Sequence, residues 1–163
     1  MAKCIFAGTF DPMTIGHVSM IKKLKKRYKS VLVVIGNNPN KTTYFSLEER
    51  EKIARLSLKN FNGVKVLVYE NVKEDYKDFI LREGYTVYAR GIRNSIDLLY
   101  EKKSEDFNKK EYPNLTTEYF NANIKQKNVS SSLVREKLKK GLDYKKYLSK
   151  KAYAYVKQIT TKR

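Results

Sequence analysis

Residues 3–35 read KCIFAGTFDPMTIGHVSMIKKLKKRYKSVLVVI, and this stretch decides the fold. The apolar run Lys3 to Ala7 ends at Gly8 and reads as a strand. Val18, Ile21, Leu24 and Tyr28 then recur at helical spacing, which predicts an amphipathic helix over roughly His17 to Lys29. Ser30 to Ile35 is almost uniformly β-branched or leucine, the composition of a parallel strand buried on both faces. A strand, a helix and a second such strand make a βαβ crossover, which is right-handed in nearly all folds.

The same alternation continues along the chain. Ser46 and Glu49 form an S-x-x-E capping box that opens a helix carrying Ile53, Leu56 and Leu58. Val64 to Tyr69 is a third strand, and Tyr76, Phe79 and Ile80 mark a helix that stops before Gly84. Thr86 to Ala89 is a fourth strand, Ile96 to Asn108 a helix, and Glu118 to Ala122 a short fifth strand. Leu133 to Lys139 and Ala152 to Ile159 read as closing helices, with Thr160 to Arg163 as a frayed tail. The expectation is an α/β fold, an open parallel five-stranded sheet of Rossmann-like kind with helices on both faces. It forms one domain over residues 1–163, with the closing helices from about residue 130. Such sheets bind ligands beyond the carboxyl ends of their strands, so the residues after Ala7, Ile35, Tyr69, Ala89 and the fifth strand carry the functional question.

Composition narrows the classes. The chain has 163 residues, of which 41% are hydrophobic and 32% charged, enough for one core under a polar surface. Its single cysteine excludes an internal disulfide framework and any multi-cysteine metal site. No apolar run approaches the ~18 residues of a membrane span, and the N-terminal residues carry no signal pattern, so a cytoplasmic location is expected. Lys+Arg 35 against Asp+Glu 17 gives a net charge of +18. That charge suits a nucleic-acid binder and equally an enzyme whose substrates are phosphates. Charge alone does not choose, because Lys22, Lys23, Lys25, Lys26 and Lys29 surround an apolar stripe as solvated helix faces do.

The strand ends carry the unusual residues. After the first strand comes Gly8-Thr9-Phe10-Asp11-Pro12-Met13-Thr14-Ile15-Gly16-His17. Gly8 is expected to permit a sharp turn and Pro12 to stiffen the loop. The segment Thr14-x-Gly16-His17 stands where a helix begins, and a helix N-terminus attracts anions. His17 is the one histidine of the chain, at a position where a ligand-facing role outweighs plain packing. After the second strand, Asn37-Asn38-Pro39-Asn40 leads to Lys41, which is placed to face the same crevice as His17. After the fourth, Arg90-Gly91-Ile92-Arg93 reads as a phosphate clamp, since guanidinium forks match phosphate oxygens. Glu101 follows on the next helix, either holding a sugar or ligand amine or pairing with a lysine. After the fifth, Val129-Ser130-Ser131-Ser132-Leu133 opens a helix; at least one of these serines is an N-cap, and the others offer hydroxyl donors to a polyphosphate. Neither G-x-x-x-x-G-K-[ST] nor G-x-G-x-x-G occurs, which sets aside P-loop kinases and dinucleotide dehydrogenases.

Taken together and in order, GTFDPMTIGH, NPNK, RGIR, DLLYE and SSSLVRE resemble the phosphopantetheine adenylyltransferase family, a branch of the T/H-x-G-H nucleotidyltransferases, over roughly Lys3 to Lys139. The resemblance implies transfer of AMP from ATP to 4′-phosphopantetheine, giving dephospho-coenzyme A and pyrophosphate, with Mg2+ and commonly a homohexamer. It implies that Thr9 and Lys41 bind the pantetheine phosphate near the reacting centre and that His17 stabilises the transition state. Arg90, with Tyr76 and Asn108, would contact the pantetheine substrate. ATP would be held by Thr9, Phe10, His17, Gly91, Ile92, Arg93 and Glu101, and by the segment Gln126, Lys127, Asn128, Val129, Ser130, Ser131 and Ser132. No protein metal ligand is assigned. Gln126 and Asn128 depart from the family, which often has aromatic residues there, as Ala7 departs where proline is usual.

Two other readings compete. One is another nucleotidyltransferase of the superfamily, such as one acting on nicotinamide mononucleotide, against which the R-G-x-R pair and the triple serine lean. The other is a basic nucleic-acid-binding module, for which Tyr144, Tyr147, Tyr153 and Tyr155 interleave with lysines; here they are read as packing in the closing helices. Neither a specific nucleic-acid partner nor a membrane is expected. Lys41→Ala is expected to weaken 4′-phosphopantetheine binding and to lower turnover together in steady-state kinetics; unchanged constants make Lys41 a bystander.

Overall fold

The computed structural model describes residues 1–36, 42–69, 73–99, 109–110 and 113–162, without the side chains of residues 73–77 and 124. Five strands form one sheet in the order β3-β2-β1-β4-β5. β1 (Lys3–Gly8) runs parallel to β2 (Ser30–Gly36) from Lys3 opposite Ser30 to Gly8 opposite Ile35. β2 pairs in parallel with β3 (Val64–Tyr69). On its other edge β1 pairs with β4 (Val87–Ile92), and β4 with β5 (Thr116–Asn121), again in parallel. The first crossovers step outward from β1 through β2 to β3; the chain then returns to the opposite side of β1. That reversal opens a crevice beyond the carboxyl ends of β1 and β4, where such sheets bind ligands.

Strand alternation sorts the core into two layers. Cys4, Phe6, Val31, Val33 and Ile35 face one side of the sheet, where they pack with Met20, Ile21, Leu24, Ile53, Val134, Ala152 and Val156 from helices. Ile5, Leu32 and Val34 face the other side, beneath Ile80 and Tyr85. α1 (Ile15–Arg27), α2 (Leu47–Leu58), α4 (Ser131–Lys139) and α5 (Lys150–Thr161) therefore cover the first face, and α3 (Lys73–Glu83) the second. The expected parallel sheet with helices on both faces is what forms.

Local chemistry sets the helix ends that matter to the crevice. Ser46 Oγ accepts from the Glu49 N–H at 3.2 Å while Glu49 Oε2 accepts from the Ser46 N–H at 2.9 Å, the reciprocal box read from the sequence. It starts α2 so that Arg50, Ile53, Ala54, Ser57 and Leu58 share the buried face. α3 ends at Gly84, whose φ of 69° is the left-handed turn a glycine adopts freely.

Some boundaries differ from expectation. α1 begins and ends two residues early, because Thr14 caps it before the apolar periodicity starts. β5 begins at Thr116, within a stretch too polar to read as a strand. α5 continues to Thr161, so Thr160 is helical, with its Oγ1 donating to the Val156 carbonyl at 2.8 Å, and is not a frayed end. The helix expected over 96–108 begins one residue earlier, with residues 95–99 helical, and 100–108 lie outside the described residues. Tyr144, Tyr147, Tyr153 and Tyr155 pack against the first core layer, as the packing reading expects. No helix among the described residues is long and apolar enough to cross a membrane.

Candidate active site

The crevice contains a cavity of about 180 Å3 whose walls include Thr9, Phe10, Gly16, His17, Gly91, Arg93, Gln126 and Val129. Residues from the ends of β1 and β4, the start of α1 and the approach to α4 thus meet in one place. Phe6, Ala7, Gly8 and Thr14 also line it, as do Met20, Ala122 and Asn123, which carry no role in the sequence reading.

His17 stands in the first turn of α1, and its orientation is fixed by the turn before it. The Thr14 N–H donates to His17 Nδ1 at 3.0 Å, and Thr14 Oγ1 lies 3.1 Å from the same nitrogen. A nitrogen that accepts from a backbone N–H carries no proton, so the neutral ring keeps its proton on Nε2. The Phe10 ring meets the imidazole edge-on at 5.1 Å and 80°. Burial, aided by the positive charge of Arg93, pulls the His17 pKa down from 6.5 to about 4. The site therefore holds a neutral imidazole that acts as a hydrogen-bond donor.

The loop that presents Thr9 and Phe10 is held from several sides. Phe10 is buried in a left-handed conformation at φ 47°, a region costing a non-glycine residue ~1–2 kcal/mol. Its ring lies over Gly8, where an added Cβ would stand 3.1 Å from Phe10 Cζ. Gly8 belongs to β1 and has no positive φ; its missing side chain is space for that ring, in place of the sharp turn expected. Asp11 is 4% exposed, and its carboxylate accepts from the Tyr44 and Phe45 N–H groups at 2.8 and 2.9 Å. Arg50 Nη1 donates to the Thr9 carbonyl at 2.8 Å and the Gly36 carbonyl at 3.0 Å. Arg135 Nη1 donates to the Asp11 carbonyl and Ser131 Oγ to the Pro12 carbonyl, both at 2.8 Å. Asp11, Arg50 and Arg135 had no assigned role in the sequence.

The three serines divide their work. Ser130 is the N-cap of α4, accepting from the Leu133 N–H at 3.1 Å. Ser131 ties α4 to the loop after β1, and Ser132 accepts from Arg135 Nη2 at 3.1 Å. The helix start they form stands against the same loop as Thr9.

The remaining named residues divide between the cavity and its surroundings. Arg93 lines the cavity, its N–H donating to Asp97 Oδ2 at 3.1 Å, whereas the Arg90 guanidinium lies 4.5 Å over the Tyr88 ring. The two arginines do not converge as a simple clamp. Ile92, Lys127, Asn128, Ser130, Ser131 and Ser132 are outside the cavity wall. Lys41, Glu101 and Asn108 lie outside the described residues, as does the side chain of Tyr76.

A switch-point crevice lined by a neutral histidine, an arginine and a helix N-terminus is suited to holding phosphate groups. A family model described as cytidylyltransferase-like matches residues 5–137, and the chain belongs to that family. It is 38% identical to the phosphopantetheine adenylyltransferase of Thermotoga neapolitana, over 81% of this chain and 80% of that protein. With the same enzyme of Dictyoglomus turgidum it shares 36% identity over 86% of each chain, and with that of Ralstonia pickettii 30% over 99% and 95%. Among solved structures, a bifunctional NMN adenylyltransferase/ADP ribose pyrophosphatase from Francisella tularensis, complexed with AMP and an Mn ion, has the same fold at a TM-score of 0.69 and 18% identity. This chain, 98% covered in that match, spans 49% of that protein.

The single histidine makes its state directly measurable. Nitrogen-edited NMR is expected to show one imidazole protonated at Nε2, titrating near pH 4. The unfolded chain takes up that proton near 6.5, so folding stability falls as pH drops from 6.5 towards 4. A proton on Nδ1, or a midpoint at or above 6.5, contradicts the assignment.

Proposed function

We propose that this protein is an adenylyltransferase that joins ATP and 4′-phosphopantetheine to give dephospho-coenzyme A and pyrophosphate. The observation that carries the reading is the neutral His17 beside Arg93 in a cavity built by the first and fourth strand ends. The family and the named relatives support the choice of reaction. At about 180 Å3 the cavity is smaller than the ~300 Å3 at which small-molecule pockets usually begin. It suits part of a nucleotide, with the rest lying outward along the strand ends.

The chemistry needs positioning more than proton transfer. The nucleophile is a phosphate oxygen of 4′-phosphopantetheine, ionised near neutral pH, so no general base is required. It attacks the α-phosphorus of ATP; the new P–O bond forms as the bond to the β-phosphate oxygen breaks, and pyrophosphate leaves. Holding both reactants in line contributes as much as ~7–11 kcal/mol of the barrier. His17 Nε2–H donates to the non-bridging α-phosphate oxygens, where charge builds in the transition state. Arg93 and the N-terminus of α4 meet the departing phosphates, and Thr9 and Lys41 hold the attacking phosphate. The ATP-side residues follow the resemblance: Phe10, Gly91, Ile92, Glu101 and the segment 126–132. Arg90, Tyr76 and Asn108 belong to the pantetheine side.

Magnesium, if bound with ATP, would supply charge neutralisation to the leaving pyrophosphate. Such an ion would be held through the phosphates of the nucleotide, and no residue of this chain is assigned as its ligand. A homohexamer and a cytoplasmic setting belong to the same proposal, and Ile96 and Leu99, each 63% exposed, support a subunit contact.

A pyrophosphate-release assay is expected to show turnover with ATP and 4′-phosphopantetheine and none with nicotinamide mononucleotide. His17→Ala is expected to lower kcat by about 10²-fold or more with the fold intact. Turnover with the mononucleotide alone reverses the substrate assignment, and a fully active alanine variant removes His17 from the chemistry.

A further inference from the structure

Arg50 is a cation where the sequence pattern calls for an apolar residue. It is 1% exposed and occupies the buried face of α2 with Ile53, Ala54, Ser57 and Leu58. Burying a guanidinium is costly unless its donors are satisfied. Its Nη1 donates to two carbonyls, those of Thr9 and Gly36. These carbonyls stand at the ends of neighbouring strands: Thr9 directly follows β1, and Gly36 is the last residue of β2, from which the chain runs on towards Lys41.

The grip on Thr9 acts on the next residue. Phe10 holds a left-handed conformation at φ 47°, and such conformations persist only where surrounding contacts over-determine them. Arg50 fixes the carbonyl before Phe10 and Arg135 fixes the carbonyl of Asp11 after it, each at 2.8 Å. The ring so placed packs on Gly8 and meets His17 edge-on at 5.1 Å. A continuous path of contacts therefore runs from α2 to the one imidazole in the site.

We infer that Arg50 is a positioning residue: from inside α2 it sets the Thr9–Phe10 backbone, and through the Phe10 ring the pose of His17. Asp11 works with it. Its carboxylate, bound by the Tyr44 and Phe45 N–H groups, closes the segment leading into α2 onto the same loop and sets a negative charge near the guanidinium. The kinetic part of this inference rests on the proposed adenylyl transfer; the geometric part does not.

Arg50→Met removes the donors while keeping an unbranched side chain, and apolar replacement of a buried charge is often tolerated by stability. Well below the variant's Tm, kcat is expected to fall about 10²-fold, the scale of a small misplacement at a reacting centre, with KM for ATP little changed. The imidazole resonances of His17 are expected to move as the Phe10 ring leaves its edge-on position. Arg50→Lys, which keeps the charge, is expected to lose less in both readouts, and it decides the matter by the same criteria if the methionine variant does not fold. A wild-type kcat, or His17 resonances that stay in place, overturns the inference, including where Tm alone falls. If the wild-type protein fails to use 4′-phosphopantetheine, the functional reading fails, and the His17 resonances still test the placement.

Discussion

The buried carboxylate of Asp11 is the constraint on which the site depends. A carboxylate out of water must be met by donors, and here both oxygens are met by successive backbone N–H groups at Tyr44 and Phe45. That pairing joins the loop after β1 to the start of α2, while the Asp11 carbonyl receives Arg135 from α4. Helices remote in sequence are thereby fixed to one turn. The turn holds a strained Phe10, and the strain is sustained because carbonyls on both sides of it are gripped. Geometry set in this way before substrates arrive is what a reaction limited by orientation requires.

Electrostatics complete the site without a strong base among the described residues. A net charge of +18 draws polyanions towards the protein as a whole. Within the crevice the balance differs: the imidazole stays neutral because burial and Arg93 disfavour a second cation. Its accepting nitrogen is taken by Thr14, so what it offers a ligand is one donor of fixed direction. The same capping turn that starts α1 thus selects the tautomer of His17.

Much of the fold was legible because burial on both faces leaves an unmistakable sequence record. SVLVVI and VKVLVY read as strands and form β2 and β3, and the S-x-x-E box opens α2 where expected. Elsewhere periodicity gives no signal. β5 is a partly exposed edge strand, TTEYFN, whose polar residues hid its start. Gly8 in sequence suggests backbone freedom, yet what it provides is room for a ring two residues on, a contact made only by the folded loop. Arg50 does carry a signal in the sequence: it falls on the i, i+3, i+4, i+7 face of α2, where a charge must have buried partners. Arg90 and Arg93 looked equivalent in RGIR, but only Arg93 reaches the cavity wall.

The central claim is that the site holds two phosphates for a single direct displacement. The most direct measurement uses ATP with sulfur in place of one non-bridging α-phosphate oxygen, in a single configuration, and reads the configuration at that phosphorus in the product. One in-line attack inverts it, and inversion is the result expected here. Retention contradicts the account, because it requires two successive displacements through a nucleotidyl group carried on the protein.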